Sequence, residues 1–231
     1  MMNMFLLLSS LCFGFSVKTN EMGEELKWKQ NPIEYKINLS NQRNLSEEEV
    51  EDSIAQSFME WEGIRGAPLR FYYEGETTNN SSSYQDGVNI VAFREDWPEE
   101  LDDDLLAITY TWSIEGGEII AFDILINENY EWSLTGEPGK HDLKNAITHE
   151  IGHATGMNHS EMIDSTMYIS STEGEIIKRT LADDDIRGLQ YLYSGIIYEN
   201  PPQCTSLGSA HLGFFGIFSA ILLIFFRRED G

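Results

Sequence analysis

The sequence predicts an α+β domain from three observations: a period-two strand near the start, amphipathic helices set between strand-like runs, and a glycine-turned hairpin. Ile33, Tyr35, Ile37 and Leu39 alternate with Glu34, Lys36 and Asn38, the pattern of a half-buried strand. From Ser46 the run SEEEVEDSIAQSFMEWEGI opens on a capping residue and carries Glu49 three positions on. Its apolar groups recur at Val50, Ile54, Phe58 and Trp61, as on one face of a helix. Val88, Ile90, Ala92 and Phe93 suggest a further strand, and 105–112 joined through Gly116-Gly117 to 119–127 reads as a hairpin. Asp142 caps a helix that runs through Leu143, Ala146 and Ile147 to His153. Asp183 opens a last helix carrying Ile186, Leu189, Tyr191 and Leu192 and ending near Gly195. Strands and helices that alternate, with hairpins at the sheet edge, belong to the α+β class.

Length and charge bound what the domain does. Of 231 residues, about 180 remain once two terminal apolar segments are set aside, enough for one domain with a substantial core. The net charge is −24, and the 15 Lys and Arg residues are scattered, which argues against nucleic-acid binding because phosphate contacts need clustered bases. The acidic run Glu99-Glu100-Leu101-Asp102-Asp103-Asp104 offers hard oxygen ligands for calcium, without a complete calcium-loop pattern.

Both ends of the chain agree on a topology with the domain outside the cell. The apolar run 4–17 has the length of a secretory core and is short for a membrane span, so 1–16 reads as a signal peptide and 17–195 as the exported domain. Residues 196–206, with Pro201-Pro202, read as a linker, and 207–226 as a transmembrane anchor or sorting segment. Arg227 and Arg228 begin a short tail, 227–231, expected on the cytoplasmic side. Cys204 ahead of the apolar run is similar to bacterial carboxyl-terminal sorting signals; an incidental cysteine beside an ordinary anchor is the other reading. With only Cys12 and Cys204 present, no disulfide is expected inside the domain. A monomer at the extracellular face of the membrane, or released from it after processing, is expected.

The chemistry is concentrated in His149-Glu150-Ile151-Gly152-His153-Ala154-Thr155-Gly156-Met157-Asn158-His159. Residues four apart on a helix share a face, so His149 and His153 can offer neighbouring ring nitrogens to one ion. Gly156 takes positive φ at little cost, ending the helix so that His159 can return to the same ion. Three protein ligands leave a fourth position open, the mark of a catalytic zinc site rather than a structural one. Glu150 follows the first ligand and is placed to act as the general base on a zinc-activated water. Met167 follows at the distance where a methionine turn forms the floor of such a site.

HEIGHATGMNHS, then STMY, then RTLADDDIRGLQYLY resembles the matrixin branch of the metzincins, with Leu181 to Ile186 as the stretch that opens the last helix. The similarity covers roughly 26–195, taking in 28–39 as first strand, 45–63 as first helix, and 118–127, with Asp123, as the strand before the active-site helix. The resemblance implies a metzincin catalytic domain: a twisted, mostly parallel sheet with an antiparallel edge strand, an active-site helix, the Met-turn and a carboxyl-terminal helix. It implies one catalytic zinc, and calcium as matrixins often bind it. It further implies a zinc-dependent endopeptidase acting on proteins or peptides, with Ala107, Ile108, Thr109 and Tyr110 pairing with an extended substrate and Tyr168 beginning the pocket wall. Animal matrixins are commonly kept latent by a propeptide thiol on the zinc, for which the few residues between the signal and Trp28 leave no room. His141 reads as a polar residue at the helix start, and His211 as part of the anchor boundary. Two other functions remain open at this point: a metzincin-fold surface-binding module without turnover, and a zinc hydrolase of a nonpeptide cell-wall amide.

Overall fold

The computed structural model describes residues 14–80 and 82–194, together with the backbone of Ile224–Arg228. Two short strands, β1 (Ser16–Val17) and β2 (Lys27–Trp28), precede β3 (Ile33–Asn38), helix α1 (Glu47–Trp61), β4 (Phe71–Glu76) and β5 (Ile90–Arg94). The hairpin β6 (Leu105–Ser113) and β7 (Glu118–Asn127) follows, then β8 (Trp132–Ser133), β9 (His141–Asp142) and helix α2 (Leu143–Ala154). Beyond α2 lie β10 (Met157–Asn158), β11 (Ser170–Ser171), helix α3 (Asp183–Ser194) and β12 (Ile224–Arg228).

The main sheet has the order β11-β12-β6-β7-β5-β3-β4, and β2 pairs with the start of β7. Strands β7, β5, β3 and β4 run parallel, and β6 lies antiparallel to β7, which is the expected mixed sheet. Ile90, Val91, Ala92 and Phe93 on β5 are all fully buried because both faces of the sheet are covered. Val91 and Phe93 join the core beneath α1 and α2, and Ile90 and Ala92 pack under Trp97 and Leu101. Leu101 sits in the middle of the acidic run, so that segment is a lid on the outer sheet face. β4 is an edge strand whose residues alternate between half-buried and exposed; the sequence reading assigned no element there.

Helix α1 buries Val50, Ile54, Phe58 and Trp61, the stripe expected from its periodicity. Its cap departs from expectation: Ser46 occupies the N-cap but its side chain makes no capping hydrogen bond. Glu47, Glu48 and Glu49 fill the first turn, where negative charge meets the positive end of the helix dipole.

Helix α2 is buried almost throughout, and its polar ends are met by side chains from elsewhere. At its start Asp142 accepts from the Asn145 amide at 3.0 Å and is gripped by the Arg179 guanidinium, whose Nε lies 2.8 Å from Oδ1. Midway, Trp61 Nε1 donates to the Thr148 carbonyl at 2.8 Å. At its end Trp28 Nε1 donates to Ala154 O at 2.8 Å and the Tyr193 hydroxyl to Thr155 O at 2.7 Å. Carbonyls that a helix end would leave unpaired are therefore satisfied by β2 and α3.

β1 pairs antiparallel with β10, and the Gly14 amide donates to Asp184 Oδ1 at 2.9 Å. Residues 14–16, expected within the signal peptide, are thus packed against the folded unit. Residues 1–13, the linker at 196–206 and residues 207–223 of the expected anchor lie outside the described residues. No helix among the described residues is long and apolar enough to cross a membrane.

At Gly152 two core side chains, Met167 and Trp61, occupy the space a Cβ would need. A Cβ there would lie 2.2 Å from Met167 Sδ and 2.6 Å from Trp61 Cζ2. Gly152→Ala is expected to destabilise the protein by about 1–3 kcal/mol through overpacking, despite the better helix propensity of alanine. The measurement is the denaturant midpoint at constant slope; a midpoint at or above that of the parent contradicts the packing assignment.

Candidate metal centre

His149 and His153 project from successive turns of α2 with ring centroids 4.7 Å apart. The chain then reverses at Gly156, whose φ is +98°. A side chain there is barred twice, by that φ and because a Cβ would meet Leu26 O at 2.1 Å. The reversal carries His159 back to ring-centroid distances of 5.3 Å from His149 and 4.8 Å from His153. The ligand atoms of all three rings lie within 4.8 Å of one another.

The ring tautomers follow from the neighbouring carbonyls. His149 Nδ1 is 2.7 Å from Thr166 O, and His153 Nδ1 is 3.0 Å from Met157 O. A carbonyl only accepts, so each ring carries its proton on Nδ1 and presents a lone pair at Nε2. His153 Nε2 and His159 Nε2 stand 3.3 Å apart. Two nitrogens bound tetrahedrally to one zinc at about 2.0–2.1 Å are separated by about 3.3 Å, so the observed spacing fits that ion. Burial holds the His149 and His153 imidazoles well below their usual pKa and pushes His159 down to about 4. All three rings are therefore neutral at physiological pH, with no proton to displace on metal binding.

Glu150 is fully buried beside them. Its Oε2 accepts from Thr109 Oγ1 at 2.6 Å, and its Oε1 has no hydrogen-bond partner among the described residues. Burial pushes this carboxyl up to about 8, while the Thr109 hydrogen bond and the charge of Lys18 act in the opposite sense. The Lys18 ammonium is itself completely buried, donates to Thr111 Oγ1 at 2.9 Å, and is pushed down to about 7 by loss of solvent.

Met167 forms a floor below α2, fully buried with its sulfur against Gly152. Its turn is held by Asp185, which accepts from the Thr166 amide at 2.8 Å, the Met167 amide at 3.1 Å and the Ser165 hydroxyl. The preceding Asp184 accepts from Ser160 Oγ at 2.7 Å, just after His159. The first turn of α3 thus supports both the third histidine and the floor.

Of the remaining expected site residues, Ala107, Ile108, Thr109 and Tyr110 lie along β6, and Tyr168 follows Met167 in a parallel bridge to Ser160. Thr109 turns its hydroxyl to Glu150, and Tyr110 stacks on Trp112 with centroids 6.0 Å apart. His141 is buried against the rings of Tyr130 and Trp132. Among the described residues the three histidines are the only compact metal-ligating group, and the acids of 99–104 do not gather into another. Sequence reasoning missed Lys18, which stood next to an expected cleavage point, and the roles of Asp184 and Asp185, read only as the opening of a helix. Consecutive acids at the start of a helix otherwise rich in core residues were the available signal.

Comparison with known proteins agrees with this geometry. The matrixin family model matches residues 27–194. Metalloendoproteinase 2-MMP of Arabidopsis thaliana is 30% identical over 160 residues, covering 65% of this chain and 39% of that protein. Neutrophil collagenase of Homo sapiens is 29% identical over 180 residues, covering 78% of this chain and 35% of its own length. Matrix metalloproteinase-26 of Homo sapiens is 26% identical over 167 residues, covering 72% and 59%. The chain thus spans from about a third to three fifths of the length of these relatives. The family implies zinc, and the three neutral imidazoles fit it. With most of its length matched by the family's model, the chain belongs to the matrixin family.

Proposed function

We propose that this chain is an exported zinc endopeptidase in which His149, His153 and His159 hold the ion and Glu150 is the general base. The observation that carries the reading is the convergence of three neutral imidazoles next to a buried carboxyl with one unpartnered oxygen. A bound zinc ion supplies Lewis acidity, polarising a carbonyl and acidifying water. Everything else is work for the chain's own groups.

Thr109 holds Glu150 through Oε2, which leaves Oε1 for proton traffic. A carboxyl raised by burial toward the working pH can both take a proton from an attacking water and return it to a departing amine. Lys18 keeps that rise in check. The Nδ1 contacts to Thr166 and Met157 lock the orientation of the two helix-borne rings, as such outer partners do in metal sites. An extended peptide paired with β6 through Ala107–Tyr110 brings its scissile bond over α2, and Tyr168 with the segment to Arg179 walls the pocket beyond it. Main-chain pairing binds peptides broadly and the pocket supplies preference. Export is supported by the apolar amino-terminal run.

Glu150→Gln is expected to lower kcat/KM on peptides by about 10²–10⁴-fold while zinc content stays at one ion. Undiminished cleavage by the zinc-loaded variant refutes the base assignment, and cleavage of peptidoglycan but not of peptides redirects the substrate class. His159→Ala is expected to lose zinc on dialysis, read by elemental analysis, and retention at parent affinity contradicts its role as ligand.

Lys18→Met removes a positive charge that favours the ionised form of Glu150. The Glu150 pKa then rises, so the acid limb of kcat/KM against pH moves to higher pH. An acid limb that stays in place shows that Lys18 does not act on Glu150.

A further inference from the structure

We infer that the chain's own carboxyl-terminal strand, β12, occupies the peptide groove and acts as an intramolecular competitor of substrate; this rests on the endopeptidase reading. Without β12 the sheet would end at β6, a nine-residue strand with one open edge of amides and carbonyls. β12 covers that edge in antiparallel register, with Ile224 opposite Thr109, Phe225 opposite Ile108 and Phe226 opposite Ala107. On its other side β12 runs parallel to β11, with Arg227 opposite Ser170 and Arg228 opposite Ser171. Both edges of one short segment are therefore paired, and the groove between β6 and β11 is shaped for a single extended chain.

The register places this segment at the metal centre. Thr109, opposite Ile224, is the residue whose hydroxyl holds Glu150, and β12 also approaches α2, the helix that carries His149, Glu150 and His153. A peptide pairing with Ala107 to Thr109 needs the same amides and carbonyls that β12 uses, so the two exclude each other. Because strand and groove belong to one chain, a free peptide competes against an effective concentration that reaches the order of millimolar for a short tether. Ile224 to Phe226 also close the segment that the sequence assigns to a membrane anchor. A backbone paired on both edges in the groove is not at the same time in a bilayer, so withdrawing or trimming this segment opens the site.

The test uses the full chain carrying Phe225→Pro, which places a proline in the stretch that pairs with β6 and disturbs that ladder. An intramolecular competitor raises the apparent KM and leaves kcat unchanged, so the variant is expected to show KM lowered about tenfold or more at constant kcat. Amide hydrogen exchange at 105–109 and 170–171 is expected to rise in the same protein, while α1 and α2 stay protected. A chain ending at Leu223, which keeps every residue of the core, is expected to behave alike. Unchanged KM and unchanged exchange at 105–109 in both variants overturn the proposal. Faster exchange at β6 in proteins that cleave no peptide leaves β12 in the groove and removes the endopeptidase reading instead.

Discussion

The candidate metal centre depends on one backbone reversal. A helix alone sets two histidines a turn apart; the third must come from chain that has left the helix and doubled back within a few residues. Gly156 makes this possible by adopting φ of +98° with the Leu26 carbonyl pressed against the space a side chain would fill. The β1–β10 pair and the Trp28 and Tyr193 hydrogen bonds then hold the exit of α2 in place. The reversal is local in sequence, but its support comes from the two ends of the folded unit.

Around the three imidazoles the structure assembles a second layer of polar groups, each with a defined task. Carbonyls of Thr166 and Met157 set the tautomers, Thr109 holds Glu150, and Asp185 ties the methionine turn to α3. Burying these groups is costly unless each finds a partner, which is why the network is nearly closed. The Oε1 atom of Glu150 has no hydrogen-bond partner among the described residues. Lys18 adds a positive charge under the sheet close enough to influence Glu150 and all three histidines.

Sheet order sets a strand edge beside this centre. An antiparallel strand beside a parallel sheet leaves its far edge open directly above the active-site helix, and an open edge pairs with whatever extended chain is at hand. Here the carboxyl-terminal segment is at hand, paired with β6 and β11 together. The backbone groups along the far edge of β6 are, for the same reason, open to pairing with the segment Ile224–Arg228.

Much of the molecule was legible from one dimension. The period-two run at Ile33 to Leu39, the apolar stripe of α1, the hairpin after Gly116-Gly117 and the histidine spacing each depend on neighbours within a turn or a pleat, and each appears where that local geometry requires. The cap at Ser46 looked equally local, yet its side chain makes no capping hydrogen bond, and the first turn carries Glu47, Glu48 and Glu49 at the positive end of the dipole. Contacts between distant segments were not legible: Lys18 under Thr111, Asp185 on the methionine turn, Trp61 against Gly152, β12 along β6. Sequence by itself determined the three histidines, their spacing and the turn that joins them, since these follow from helix periodicity and the conformational freedom of glycine. Only the tertiary structure decided which charge stands near Glu150 and which strand pairs with the free edge of β6, because both depend on burial and on register between segments far apart in the chain.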